Sequence, residues 1–178
     1  MRFIILCFLM FYTTPAYAQN AIGLKIEELF SDIEELYTQD KPDMGKVLEF
    51  FKLHISDEYK STLEHRSNLS KKVIASTQNR EEYLIELQDT SKELLNSTMS
   101  LTITNIEYLD DNLSANVSYT TLFSGDIKMN VADVGLSIVK FKSLFVCTEL
   151  FKLEKAILKT REVDCDADTL YSKPKPIE

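Results

Sequence analysis

Glu149 is the one carboxylate embedded in the apolar stretch Leu144-Phe145-Val146-Cys147-Thr148-Glu149-Leu150-Phe151. A carboxylate in such surroundings is a candidate general base. What it does depends on what lies across from it. Residues 144–166 read as two antiparallel strands closed by a short turn, with Cys147 on one and Cys165 on the other. If those cysteines bond, the register centres on Ala156, where the turn also falls. A slip of one residue would put the two sulfurs on opposite faces. In this register Phe151 opposes Arg161, and Arg161 lies diagonal to Glu149 on the same face. A guanidinium there keeps a carboxylate ionised instead of tuning it as a base, so no catalytic residue is predicted.

Other chemistry finds less support. His54 and His65 are the only histidines, and neither has a second ligand at helical or hairpin spacing. Asp164, Asp166 and Asp168 alternate like the start of a calcium loop. Thr169 and Lys175, however, stand where its glycine and its bidentate glutamate belong. The four glycines are scattered, so no loop cradles a phosphate, and no nucleophile-elbow motif appears. No metal or cofactor is predicted. Asn68, Asn96, Asn112 and Asn116 sit in N-x-Ser/Thr sequons, which in a chain with a bacterial-looking leader are read as accidents of composition.

The first 18 residues carry a secretory pattern. Arg2 is the charged start, residues 3–12 are apolar, and Ala16-Tyr17-Ala18 is a small-x-small cleavage site leaving Gln19 first. The apolar run is about half of what a spanning helix needs, so no stable membrane anchor is expected after cleavage. Cleavage removes Cys7 and leaves an even pair, Cys147 and Cys165, for an oxidising compartment, periplasmic or extracellular. The net charge of −8 becomes −9 with the loss of Arg2. That balance excludes the basic face needed by a non-specific nucleic-acid binder.

Several elements must position these groups. Residues 21–37 form an amphipathic helix with Ile22, Ile26, Leu29, Phe30, Ile33, Leu36 and Tyr37 on one stripe and Asn20 as N-cap. A second helix starts near Asp43, and a third opens at Asn79 with Glu82 completing a capping box. Between these two, residues 56–63 suggest a short irregular strand and residues 66–72 a polar loop. From Leu101 the period becomes alternating: strand 101–109, acidic turn, strand 113–123, turn 124–126, short strand 127–131, then the long strand after Gly135. Helices followed by a meander imply an α+β fold, three N-terminal helices packed on a curved antiparallel sheet that ends in the disulfide-bridged hairpin. One domain is expected over residues 19–170, with an extended mobile tail at 171–178.

Three passages resemble the nuclear transport factor 2-like superfamily, closest to its SnoaL-like and ketosteroid-isomerase-like bacterial members. They are Asn79-Arg80-Glu81-Glu82-Tyr83-Leu84-Ile85-Glu86-Leu87, the strand–turn–strand from Ile106 to Val117, and the terminal hairpin through Glu149-Leu150-Phe151 and Arg161-Glu162. Lys155 departs from the glycine usual in that last turn. The resemblance implies a cone-shaped pocket between sheet and helices. The polar groups on otherwise apolar faces, Tyr37, His54, Tyr59, Tyr119 and Thr121, are the candidates to line it. In isomerase-like members a buried carboxylate acts there as base beside a tyrosine.

The strand 144–150 is apolar on both faces, Leu144, Val146 and Leu150 on one and Phe145, Cys147 and Phe151 on the other. One face therefore meets the helices, and the resemblance implies a homodimer through the other. The reading this favours is an exported, non-catalytic domain binding a small apolar ligand or a partner protein. The alternatives are a SnoaL-like lyase or isomerase on a polycyclic or steroid-like substrate, and a periplasmic assembly module of a secretion system.

Overall fold

The computed structural model describes residues 14–132 and 134–177. Cys7, Arg2 and the apolar run 3–12 lie outside the described residues. Helix α1 (Thr14–Tyr37) runs unbroken through the Ala18–Gln19 junction, so Asn20 is not its cap. Helix α2 (Met44–His54) starts on Asp43, whose carboxylate accepts from the backbone N–H groups of Gly45 and Lys46. Strands β1 (Ile55–Ser67) and β2 (Ser70–Asn79) form a hairpin. The expected loop 66–72 is therefore a tight turn between two strands, and residues 73–79, given no element from sequence, pair along β1. Helix α3 (Arg80–Glu93) opens on the Asn79–Glu82 capping box.

Four more strands complete the main sheet: β3 (Leu94–Tyr108), β4 (Ser114–Val131), β5 (Gly135–Glu154) and β6 (Ile157–Tyr171). The curved, unclosed sheet runs β2-β1-β6-β5-β4-β3. The fold is α+β, with two departures from the expected order. Among the described residues only α1 and α2 precede the first strand, and β1 pairs with β6 in parallel, so the sheet is mixed.

Residues 124–126 do not turn: β4 passes through them as one long strand. Gly125 explains how. A Cβ there would lie 2.2 Å from the backbone oxygen of Asn96 on β3, so glycine lets two backbones meet where the Asn96 amide donates to the Asp126 carboxylate and accepts from the Asp126 backbone N–H. The tail is also bound, since β7 (Lys175–Pro176) pairs with Ser137 and Ile138 of β5 and Ile177 N–H donates to Leu136 O.

Along its length α1 presents the expected stripe to the concave face. Ile22, Ile26, Leu29 and Phe30 pack with Ala115 and Val117 of β4, Phe151 of β5 and Leu158 of β6. Phe30 meets Tyr119 edge to face at 4.8 Å. The carboxylate of Glu34 accepts from Leu101 N–H, and the Ser97 hydroxyl donates to Tyr37 O, tying the end of α1 to β3. This core fills one end of the cone.

Cys147 and Cys165 are bonded and directly paired across β5 and β6. The turn beyond them puts Lys155 and Ala156 at positive φ, 50° and 68°, so Lys155 adopts a left-handed conformation that glycine would take without strain. From Phe141 to Leu150 the register is the expected one. A bulge then intervenes, and Phe151 pairs with Thr160 rather than with Arg161. A bulge places two residues opposite one and re-aims the side chains beside it. Arg161 swings off the concave face and binds Glu58 and Glu154, each at 3.0 Å.

Candidate functional site

The rest of the concave face encloses a cavity of about 290 Å³, and Tyr37, His54, Tyr59, Tyr119 and Thr121 all line it. The structure thus brings the five sequence-predicted groups together. It adds six polar groups that the sequence did not assign to a site: Glu149, Thr160, Ser61, Thr62, Gln78 and Tyr83. Each strand contributes by alternation. β5 turns Phe145, Cys147 and Glu149 inward, β6 turns Cys165, Val163 and Thr160, and β1 contributes Tyr59, Ser61 and Leu63. The disulfide forms part of the wall.

Glu149 is 8% exposed. One carboxylate oxygen accepts from the Tyr119 hydroxyl at 2.7 Å, and the other accepts from the Thr160 hydroxyl at 2.5 Å. Burial pushes its pKa up to about 7, and the Thr160 and Tyr119 hydrogen bonds hold it from going further. The prediction that Arg161 keeps this acid ionised is therefore overturned. The bulge removes the guanidinium, and no cation offsets the desolvation.

The tyrosines shift in the same direction. Burial raises Tyr119, and the nearby Glu149 charge adds to it; burial likewise raises Tyr59 and Tyr83, which also feel that charge. Tyr59 and Tyr83 have ring centroids 5.3 Å apart. All three hydroxyls stay protonated in the working range, and that of Tyr119 donates to the acid. His54 stacks against Phe50 at 4.5 Å, and its Nδ1 lies 2.9 Å from Leu158 O. A carbonyl only accepts, so Nδ1–H is the donor in this contact.

Chemically, this is a carboxylate tuned near neutrality in an apolar chamber, ringed by neutral donors. Such an arrangement can take a proton from carbon and stabilise the oxyanion that forms. The carboxylate was visible in the sequence as an acid in an apolar strand. Its environment was hidden, because one bulge decides whether Arg161 faces it. Among the described residues no group of three or more metal-ligating side chains converges.

Several solved structures share this architecture. LinA superimposes with a TM-score of 0.56 at 13% identity, over 92% of this chain and 95% of that one. A candidate scytalone dehydratase from Novosphingobium aromaticivorans gives 0.57 at 11% identity, over 90% and 91%. An uncharacterised protein with a cystatin-like fold from Caulobacter vibrioides gives 0.52 at 11%, over 85% and 89%. The chain has the nuclear transport factor 2-like fold. No protein-family model and no curated sequence matches it. At these identities the likeness establishes the fold, and the nuclear transport factor 2-like cone is what gathers residues from β1, α3, β4, β5 and β6 around Glu149.

Proposed function

We propose that this protein is a lyase or isomerase that works by acid–base chemistry on an apolar carbonyl compound, with Glu149 as the base. The observation that carries this is the carboxylate of Glu149, buried without a cation between the Tyr119 and Thr160 hydroxyls in an apolar-walled cavity. Glu149 takes the proton from a carbon next to the carbonyl, and the C–H electrons move into the carbonyl to give an enolate. A tyrosine hydroxyl donates to the enolate oxygen. Where a double bond adjoins that carbon, return of the proton to the far end of the conjugated system isomerises the substrate; loss of a leaving group with its electron pair from the next carbon completes an elimination. Two structural neighbours are by name a dehydrochlorinase and a candidate dehydratase, both eliminating enzymes, which supports this reading over a non-catalytic one. A cavity of about 290 Å³ stands at the lower edge of the range for small-molecule pockets, which favours a compound slimmer than a polycycle.

The test is proton exchange into deuterated water at the carbons beside the carbonyl of hexanone and cyclohexanone, monitored by NMR. The protein accelerates it, and Glu149→Gln removes the acceleration. No acceleration, together with a Glu149 carboxyl titrating at an ordinary pKa, sinks the proposal. The rival reading is a non-catalytic carrier, and one observation favours it: both carboxylate oxygens already have hydrogen-bond partners. A carrier would bind the ketones and exchange nothing.

Export and dimerisation belong to the same reading. The disulfide fits an oxidising compartment, and among the described residues no helix is long and apolar enough to cross a membrane. On the convex face Leu122, Leu144 and Val146 are exposed, with Leu122 and Leu144 paired across β4 and β5. A second copy covering that face is the assembly we propose.

A further inference from the structure

A second cavity of about 300 Å³ lies against the first, between α3 and the far end of the concave face. The two share four wall side chains, Tyr37, Leu63, Phe123 and Phe145. Tyr37 and Phe123 meet edge to face at 5.5 Å, so side chains form the waist that divides the chambers. The walls of the second chamber are mostly apolar, and besides Glu86, Thr90 and Tyr171 they carry a hydrogen-bonded polar cluster. His65 Nε2 is 2.9 Å from Thr169 Oγ1, which is 2.8 Å from Ser143 Oγ, and Ser143 and Thr169 are each 4% exposed. Thr169 and Ser143 are direct partners across β6 and β5, and His65 reaches them from β1.

The chemistry of this relay decides what it can bind. Each hydroxyl carries one hydrogen and two lone pairs, so the cluster can donate to or accept from a ligand oxygen. The matching ligand group is a hydroxyl or a carbonyl.

We infer that the second chamber is a subsite for the far end of the same substrate, an elongated linear molecule with a hydroxyl or carbonyl oxygen at its tail. This rests on the reading of Glu149 as the base. Glu149 and Ser143 are six residues apart on β5, which at roughly 3.3 Å per residue separates the two polar ends by about 20 Å along the strand. Side chains divide the chambers, and they part for a linear chain more readily than for a fused ring system. Apolar walls on both sides accept the methylenes, and each end of the molecule finds its own polar partner.

Exchange kinetics with linear methyl ketones from hexanone to tetradecanone, and with the diketone of the tetradecane chain carrying a carbonyl near each end, test the assignment. In the unaltered protein kcat/KM rises at least about tenfold from hexanone to tetradecanone, through the added buried methylenes. The diketone gains roughly three- to tenfold more through the tail hydrogen bond. Ser143→Leu and, from the helix side, Leu87→Trp fill the second chamber and bring the tetradecanone-to-hexanone ratio near one. Thr169→Val breaks the relay and brings the diketone-to-tetradecanone ratio near one. A length ratio near one in the unaltered protein, or one that survives both chamber-filling variants, overturns the subsite. If even hexanone fails to exchange, the acid–base reading fails instead, and calorimetric affinities for the same series then decide the subsite alone.

Discussion

Glu149 binds a proton near neutrality because burial penalises its charge, and that single shift governs both activity and stability. The folded pKa is raised, so the protonated acid is favoured in the folded protein. This contribution is fully present below the unfolded carboxylate's value and is lost as pH rises through about 7. A shift of that size corresponds to about 3 kcal/mol. Glu149→Gln keeps the shape without the charge. Its melting temperature should therefore exceed that of the unaltered protein at about pH 8 and approach it at about pH 4, while exchange activity falls by about two orders of magnitude or more. Exchange should itself rise with pH through about 7 as the base ionises. Tyr119→Phe removes a donor that favours the ionised acid, so the rising limb should move to higher pH. A limb that stays in place would show that Tyr119 does not bond the carboxylate.

Two local departures from regular strand structure shape the site. The bulge at Arg161 frees the concave face of its only nearby guanidinium and gives it to Glu58 and Glu154 outside. Gly125 lets β4 continue past β3, so that Phe123 reaches the waist between the chambers while Ile127 lines the second. Gly125→Ala should cost roughly 1–3 kcal/mol or more, read from urea denaturation, since a backbone oxygen cannot step aside as a side chain would. A loss within experimental error would mean that β3 and β4 separate freely there. Helix starts were legible in the residues themselves: Asp43 and Asn79 cap α2 and α3 because a short polar side chain before an apolar period satisfies the free N–H groups. Residues 73–79 were not legible as a strand, because an edge strand with Val73, Ile74 and Ala75 all exposed carries no one-sided alternation.

On the scale of the molecule, the mixed sheet leaves one face packed against helices and cavities and the other open. We propose that a second copy covers Leu122, Leu144 and Val146; light scattering at micromolar concentration should then give a dimeric mass, and Leu144→Lys with Val146→Lys should halve it without altering the far-ultraviolet circular dichroism. A monomeric mass for the unaltered protein defeats this. By itself the sequence determined what depends on neighbours along the chain: the apolar stripe of α1, the capped helix starts, the alternation of β4, and the Cys147–Cys165 register, which a turn at Ala156 and a shared face both required. Only the tertiary structure decided what depends on contacts between distant segments. It joined β1 to β6 in parallel, bound the tail as β7, set one extra residue into β6, and so turned Glu149 from an acid beside an arginine into one beside a tyrosine. Alternation is a property of each strand alone, whereas a bulge is a property of the pairing. That is why Glu149 could be named from the sequence while its protonation could not.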